Sequence, residues 1–500
     1  MVEVTDASKF VQAVARYPLP GMAIPNDIAF SPDDRFITYL YSAEGDLVNQ
    51  LYAFNPETGE SRLVLDPRER GATEENVTPE EALRRERQRQ RALGVTRYAW
   101  AKNQNRLLIP LQGRVFVKAI PAFDQRDAPL REVVETADAP ALDPHFSPDG
   151  QWIAYVRDAE LYVVPVEPAD GEGARQLTHG ARGTGRTHGL AEYIAQEEMG
   201  RSRGFWWGRQ PLLARQPLLA RGSQYLAFTE VDETHIPLYH IVHQGKDVVD
   251  EETHRYPFAG ASNANVRLGV VPVQGDETGG EPVWMDLGEN EDVYLARVQW
   301  LPDGTLCAQL ENRAQTELDL VCFDPTTGER HTLLHEESDV WINLHDMFRP
   351  LDKAAGATGV CENPGGFIWA SERTGFRHLY LYDADGCLVR PLTQGAWMVD
   401  DIVAVDQARS LVYFTATRAS PLDRHLYVVS FSGDAIRQIT RDPGMHQVVI
   451  DHGHQRFVDT YHALDHPPTV TLRDLGTGEV LSVIYDECDP RVEALALQPP

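Results

Sequence analysis

Residues Phe146–Thr178 read FSPDGQWIAYVRDAELYVVPVEPADGEGARQLT. An apolar strand start runs into a Ser-Pro-Asp turn. An alternating strand follows, then a second turn, a strand of the Leu-Tyr-Val-Val type, and a short polar closing strand. The same phrase recurs along the chain. Phe30-Ser-Pro-Asp-Asp34 is followed by Leu51-Tyr-Ala-Phe54, and Trp300-Leu-Pro-Asp-Gly304 by Leu320-Val-Cys-Phe323. Leu379-Tyr-Leu-Tyr382 and Leu426-Tyr-Val-Val429 repeat its third strand. Arg175-Gln-Leu-Thr178, Arg390-Pro-Leu-Thr393 and Arg437-Gln-Ile-Thr440 repeat its close. Short strands with turn signals at blade-sized intervals predict an all-β fold, a β-propeller of four-stranded antiparallel blades. Units are expected to begin near residues 26, 95, 140, 200, 290, 360, 400 and 450. The last is faint, so the pattern alone fits seven or eight blades.

Composition narrows the function. In 500 residues, 75 acidic side chains face 46 Lys and Arg, for a formal charge of −29. Such a surface repels nucleic-acid phosphates and anionic membranes, and it favours a ligand carrying a cationic amine. The five cysteines, Cys307, Cys322, Cys361, Cys387 and Cys488, have no CxxC spacing and read as reduced thiols. The opening residues are mixed and polar, and no apolar run approaches a membrane span. The expectation is a cytoplasmic protein.

Three segments stand outside the repeat. Residues 1–25 form a lead-in, helical from Ala7 to Tyr17, before a propeller over 26–490. Thr78–Leu93 is predicted as a helix, with Thr78 and Glu81 as a capping box, Pro79 at its first position and Gly94 as its stop. It is polar all round, and Arg84, Arg87 and Arg91 share one stripe of it. Behind Trp207, Gln210–Arg215 is repeated as Gln216–Arg221, a tandem hexapeptide in a loop.

The chemistry concentrates in His188–Trp207, HGLAEYIAQEEMGRSRGFWW. His188–Met199 is predicted as a short amphipathic helix, with Leu190, Tyr193 and Ile194 toward a core. It ends in the adjacent carboxylates Glu197 and Glu198. A Glu-Glu pair is most often a solvated helix face. Held close in a pocket, however, two carboxylates repel each other unless a cation lies between them, and an ammonium group suits that place. Trp206 and Trp207 read as the start of a buried strand.

The segment AEYIAQEEM-x-R-x-x-GFWW resembles the dipeptidyl peptidase IV family of serine peptidases. So do YLAFTEVDE (Tyr225 to Glu233), HRYPFAGASNAN (His254 to Asn265), WASERTGFRHLYLY (Trp369 to Tyr382) and PLDRHLYVVS (Pro421 to Ser430). The resemblance covers nearly the whole chain. It implies eight blades, with Glu197 and Glu198 gripping the free N-terminal amine of a peptide. It also implies an Arg-rich helix arching over the substrate, with Arg87 meeting a backbone carbonyl and Arg84 and Arg91 as alternates. Asp346-Met-Phe348-Arg349 resembles a loop in which a Phe-Arg pair lines an outer substrate pocket. The hexapeptide repeat departs from the family pattern.

No catalytic residue is assigned. Gly200-Arg201-Ser202-Arg203-Gly204 matches the G-x-S-x-G spacing, but a helix precedes it and a strand follows, the reverse of a nucleophile elbow. His452 and His454 form an HxH, with His446, His462 and His466 nearby, but loop histidines more often serve as hydrogen-bonding groups, and no metal or cofactor is expected. Residues 491–500 lie where the family's hydrolase domain would begin. The expected role is therefore substrate recognition for a dipeptidyl peptidase releasing Xaa-Pro or Xaa-Ala. Its partners would be peptides with a free N-terminus and a hydrolase domain or separate catalytic chain, and this polypeptide alone would be inactive. The alternatives are a stand-alone scaffold propeller or a truncated gene remnant.

Overall fold

The structure is a computed structural model. It describes residues 11–70, 85–121, 128–135, 139–169, 172–209, 224–243, 245, 250–273, 280–289, 292–352, 366–487, 489 and 491–492. Eight antiparallel blades follow one another around a ring, each with its four strands hydrogen-bonded in chain order. They occupy residues 26–65, 99–134, 142–176, 186–284, 293–337, 349–391, 399–438 and 445–485. Six begin within a few residues of the predicted starts. Blade 4 begins earlier, at a polar three-residue strand, Arg186–His188. Blade 6 also begins earlier, because its inner strand is only Arg349–Pro350.

The repeated phrase recurs because each part closes a specific bond. In the Ser-Pro-Asp turns the serine hydroxyl accepts the Phe36 N–H at 3.0 Å in blade 1 and the Trp152 N–H at 2.9 Å in blade 3. The aspartate in turn accepts from that hydroxyl at 2.7 and 2.6 Å. The closing threonines answer the Leu-Tyr strands. The hydroxyls of Thr178, Thr393 and Thr440 accept the buried N–H groups of Leu161, Leu379 and Leu426, each at 2.9 Å. A threonine there satisfies a buried donor that the short outer strand leaves open.

Apolar faces of neighbouring blades supply the core, so each hydrophobic cluster spans a blade boundary. Tryptophans on the inner strands tie one blade to the one before. The indole of Trp300 donates to the Trp206 carbonyl at 3.0 Å, that of Trp207 to the His145 carbonyl at 3.1 Å, and that of Trp100 to the Thr38 hydroxyl at 2.9 Å. The ring closes where Val458, Val470 and Leu472 of blade 8 pack on Phe30, Ile37 and Phe54 of blade 1. The backbone N–H groups of His452 and Gly453 cap the Asp34 carboxylate at the same seam.

Three expectations are corrected. The helix predicted over Thr78–Leu93 is helical among the described residues only at 85–87; 78–84 lie outside them. Arg89 takes a left-handed φ of 52° and ends it, and Leu93 and Gly94 pair in parallel with Val48 and Asn49. Gly94 is therefore a close-approach residue, since a Cβ there would sit 2.7 Å from the Asn49 carbonyl oxygen. The helix predicted over His188–Met199 is confined to Tyr193–Glu197, because His188 belongs to a strand and Gly189 has a φ of 81°. The thiols of Cys307 and Cys322 are not reduced. They face each other across adjacent strands of blade 5, with Cα atoms 4.1 Å apart, and are joined in a disulfide. A separation of 15 residues carries no signal of that pairing. Cys387 is free and exposed. Among the described residues no helix is long and apolar enough to cross a membrane.

Candidate functional site

Blade 4 departs from the plan of the other blades. Its central strand Gln224–Asp232 pairs along one edge with two separate strands, Arg186–His188 at one end and Phe205–Arg209 at the other. Together these two make one inner strand cut in the middle, and residues 189–204 leave the sheet and return through the cut. The neck of this excursion is pinched shut at Thr229. Its backbone N–H donates to the Gly204 carbonyl at 2.8 Å, and its hydroxyl donates to the Leu190 carbonyl at 2.9 Å. The two limbs touch so closely that a Cβ on Gly204 would lie 2.4 Å from the carbonyl carbon of Gly189. Glycine is required by that contact alone.

The helix Tyr193–Glu197 crowns the excursion, with Glu198 as its C-terminal residue in helical conformation. Ala195 and Met199 bury one side against Ala296 of blade 5. Glu197 is half-buried and Glu198 is exposed. Both carboxylates sit at the helix end where unpaired carbonyls already gather negative charge, which is electrostatically unfavourable. No described side chain forms an ion pair with either.

Tyr193, expected to face a core, stands instead in the site one helical turn before Glu197. Its ring packs edge-on against Tyr256, with centroids 5.3 Å apart. The Arg87 guanidinium lies over its other surroundings, 5.1 Å from the ring centroid. Burial, followed by the field of Glu197, raises the Tyr193 hydroxyl above its ordinary value, and Arg87 opposes the rise. Burial also raises the Glu233 carboxyl, and Arg87 opposes that shift too. Arg87, Tyr193, Glu197, Glu198, Glu233 and Tyr256 therefore share one neighbourhood. Glu233 and Tyr256 were not singled out from the sequence, although both lie inside the motifs that carry the family resemblance.

The remaining predicted residues fare differently. Arg91 is elsewhere, its guanidinium 4.3 Å from the ring centre of Tyr17 in the lead-in. Arg84 and the whole repeated hexapeptide segment lie outside the described residues. Phe348 is buried, packed against Phe367 and Trp369, and it also lines a cavity of about 650 Å³ among the inner strands of blades 2 to 5. Arg201, Arg203 and Arg297 line the same cavity, placing it just behind the Glu pair. Arg349 spends its guanidinium on the carbonyls of Asp346 and Ile402, so its charge is largely occupied by the fold. Residues Gly200–Gly204 are the return limb of the excursion, not a strand-to-helix elbow. Two of the histidines bond carboxylates of the fold. His452 bonds Asp34 at 2.7 Å and His446 bonds Asp459 at 2.9 Å, and no cluster suited to a metal occurs among the described residues.

The chain is an eight-bladed propeller whose fourth blade carries a carboxylate pair on the excursion between the two halves of its inner strand. The chain matches the family model of the dipeptidyl peptidase IV N-terminal region over residues 94–468, and it belongs to that family. It is 26% identical over 469 residues to mouse dipeptidyl peptidase 8, covering 80% of this chain and 51% of that protein. It is 29% identical over 308 residues to a probable dipeptidyl peptidase 4 of Aspergillus flavus, covering 59% of this chain and 37% of that one. In fold it matches the crystal structure of Porphyromonas gingivalis dipeptidyl peptidase 4 with a TM-score of 0.72 at 19% identity, over 97% of this chain and 63% of that one. The chain thus spans about half or less of the length of these curated relatives.

Proposed function

We propose that this propeller is the substrate-recognition part of a dipeptidyl peptidase IV-like serine peptidase, and that it receives peptides by their free N-terminal amine. The observation that carries the reading is the placement of Glu197 and Glu198. Two neighbouring carboxylates without an ion-pair partner among the described side chains stand at a helix end, where an incoming positive charge would relieve them. An α-ammonium group supplies that charge and three donors. Arg87, which lies over Tyr193, would meet a backbone carbonyl of the same peptide. Anchoring the amine fixes how far a peptide can enter, and so sets a two-residue product. Cleavage of Xaa-Pro or Xaa-Ala bonds would then fall to a hydrolase domain or chain docked against this propeller.

The test is calorimetric titration with an Ala-Pro-initiated peptide and with its N-acetylated form. The free amine should bind and the acetylated peptide should not, and Glu197→Gln should remove the difference. Equal binding of both peptides by the wild-type protein would discard the amine site and favour a scaffold role.

A further inference from the structure

The excursion that bears the Glu pair is held by one guanidinium. Arg201 is almost fully buried, and every part of it is used. Its Nε donates to the Leu295 carbonyl of blade 5 at 2.9 Å, and one terminal nitrogen donates to the Arg203 carbonyl at 2.9 Å. The other forks onto both oxygens of Glu192, at 2.9 and 2.6 Å. Its backbone N–H donates to the Ala195 carbonyl at 2.8 Å. Glu192 is the residue that starts the helix, yet its side chain makes no capping bond and is turned entirely to Arg201. A second arginine, Arg297 of blade 5, donates to the Met199 carbonyl at 2.8 Å, one residue past the pair.

This arrangement joins the helix start, the return limb and the neighbouring blade at one point. None of these bonds belongs to a propeller ladder, since the excursion is an interruption of the sheet. A buried, fully satisfied ion pair fixes a unique geometry more reliably than apolar packing of a five-residue helix would. A planar fork does so with directional bonds that an ammonium group cannot reproduce.

We propose that Arg201, through its fork on Glu192, is the positioning residue that sets Glu197 and Glu198 at the spacing an N-terminal amine requires. The proposal rests on the amine-site reading above. It assigns Arg201 no contact with the peptide.

Two measurements on Arg201→Met and Arg201→Lys test it. In hydrogen exchange, amides of residues 193–199 should exchange at least about ten-fold faster in Arg201→Met, with protection in blades 1, 7 and 8 unchanged. In titration, Arg201→Met should lose the preference for a free over an N-acetylated Ala-Pro peptide, and Arg201→Lys should restore only part of it. Unchanged exchange at 193–199 would overturn the proposal, as would faster exchange throughout the ring. So would an intact amine preference in Arg201→Met. If the wild-type protein shows no amine preference, the amine-site reading falls, and the exchange data alone decide whether Arg201 holds the segment.

Discussion

Blades 7 and 4 share the order of their strands and differ most in the inner one. Blade 7 runs its inner strand, Val399–Asp406, without a break against Leu411–Ala416. Its outer edge is closed by Thr440 bonding the Leu426 N–H. Blade 4 cuts the inner strand in two and devotes sixteen residues, 189–204, to a structure that adds nothing to the ladder. Bonds that repeat around the ring hold the propeller. Bonds that occur once, at Thr229, Arg201 and Arg297, hold the site. The stability of the ring and the shape of the excursion thus rest on separable sets of residues.

Substitutions should separate them. The largest effect is expected at the neck. In Gly204→Ala the new Cβ meets backbone of Gly189 and Leu190, which has no room to yield, at an overpacking cost of about 1–3 kcal/mol. Amine binding should be lost along with that stability, as read by titration and by denaturant unfolding. Thr440→Val in blade 7 leaves the buried Leu426 N–H unsatisfied and should cost about 1–3 kcal/mol. Its amine affinity should stay within about two-fold, because among the described residues blade 7 and the excursion share no hydrophobic cluster. A parallel loss of binding there would collapse the distinction between the two sets. Arg87→Ala should weaken peptide binding by about ten-fold, the worth of one charge-assisted hydrogen bond. Arg91→Ala, whose guanidinium lies over Tyr17 and not over Tyr193, should leave it unchanged. Equal effects would mean that the arginine stripe acts as a diffuse field and not through one residue.

The same division explains what could be read from the sequence. The Ser-Pro-Asp turns and the closing threonines are legible because each records a bond at a recurring separation within one blade, 5 residues in the turns and 14 to 17 for the threonines. Blade 6 begins earlier than its pattern suggests, because an inner strand of two residues leaves almost no periodicity to detect. The Glu pair is visible through its likeness to a family motif, but the helix around it is much shorter than its apolar spacing implies. Thr229, Leu295 and blade 5 shape that segment from afar. Arg201 occupies a motif that spells a nucleophile elbow, and only its partners reveal a clamp. The Cys307–Cys322 bond is a matter of strand register, which a lone pair of cysteines does not encode.

The smallest effect, and the one that tests the boundary between blades 3 and 4, is a pH dependence. His188 closes the first half of the broken inner strand, with a side chain only 6% exposed. Its Nδ1 lies 2.8 Å from Glu160 of blade 3 and its Nε2 3.0 Å from Glu230 of blade 4, while Arg267 holds the other oxygen of Glu230. Burial works against the charged ring, but hydrogen bonds to the two carboxylates outweigh it and raise the imidazole above its ordinary value. Burial likewise opposes the charge on Glu160. The bonds from His188, the Ala181 N–H and the Thr178 hydroxyl outweigh that penalty too, and bring the carboxyl down to about 2. A base whose folded pKa is raised contributes stability that is complete below its unfolded value, near 6.5, and fades as pH rises through the folded value. The acid contributes above its own unfolded value and fades only as pH falls toward 2. The stability difference between the wild-type protein and His188→Gln should therefore be largest from about pH 5 to 6.5 and shrink toward pH 9. Denaturant unfolding at a series of pH values measures it. A difference that stayed flat over that range would mean that His188 joins the blades as a neutral ring, and that the charge at this boundary belongs to Glu160, Glu230 and Arg267.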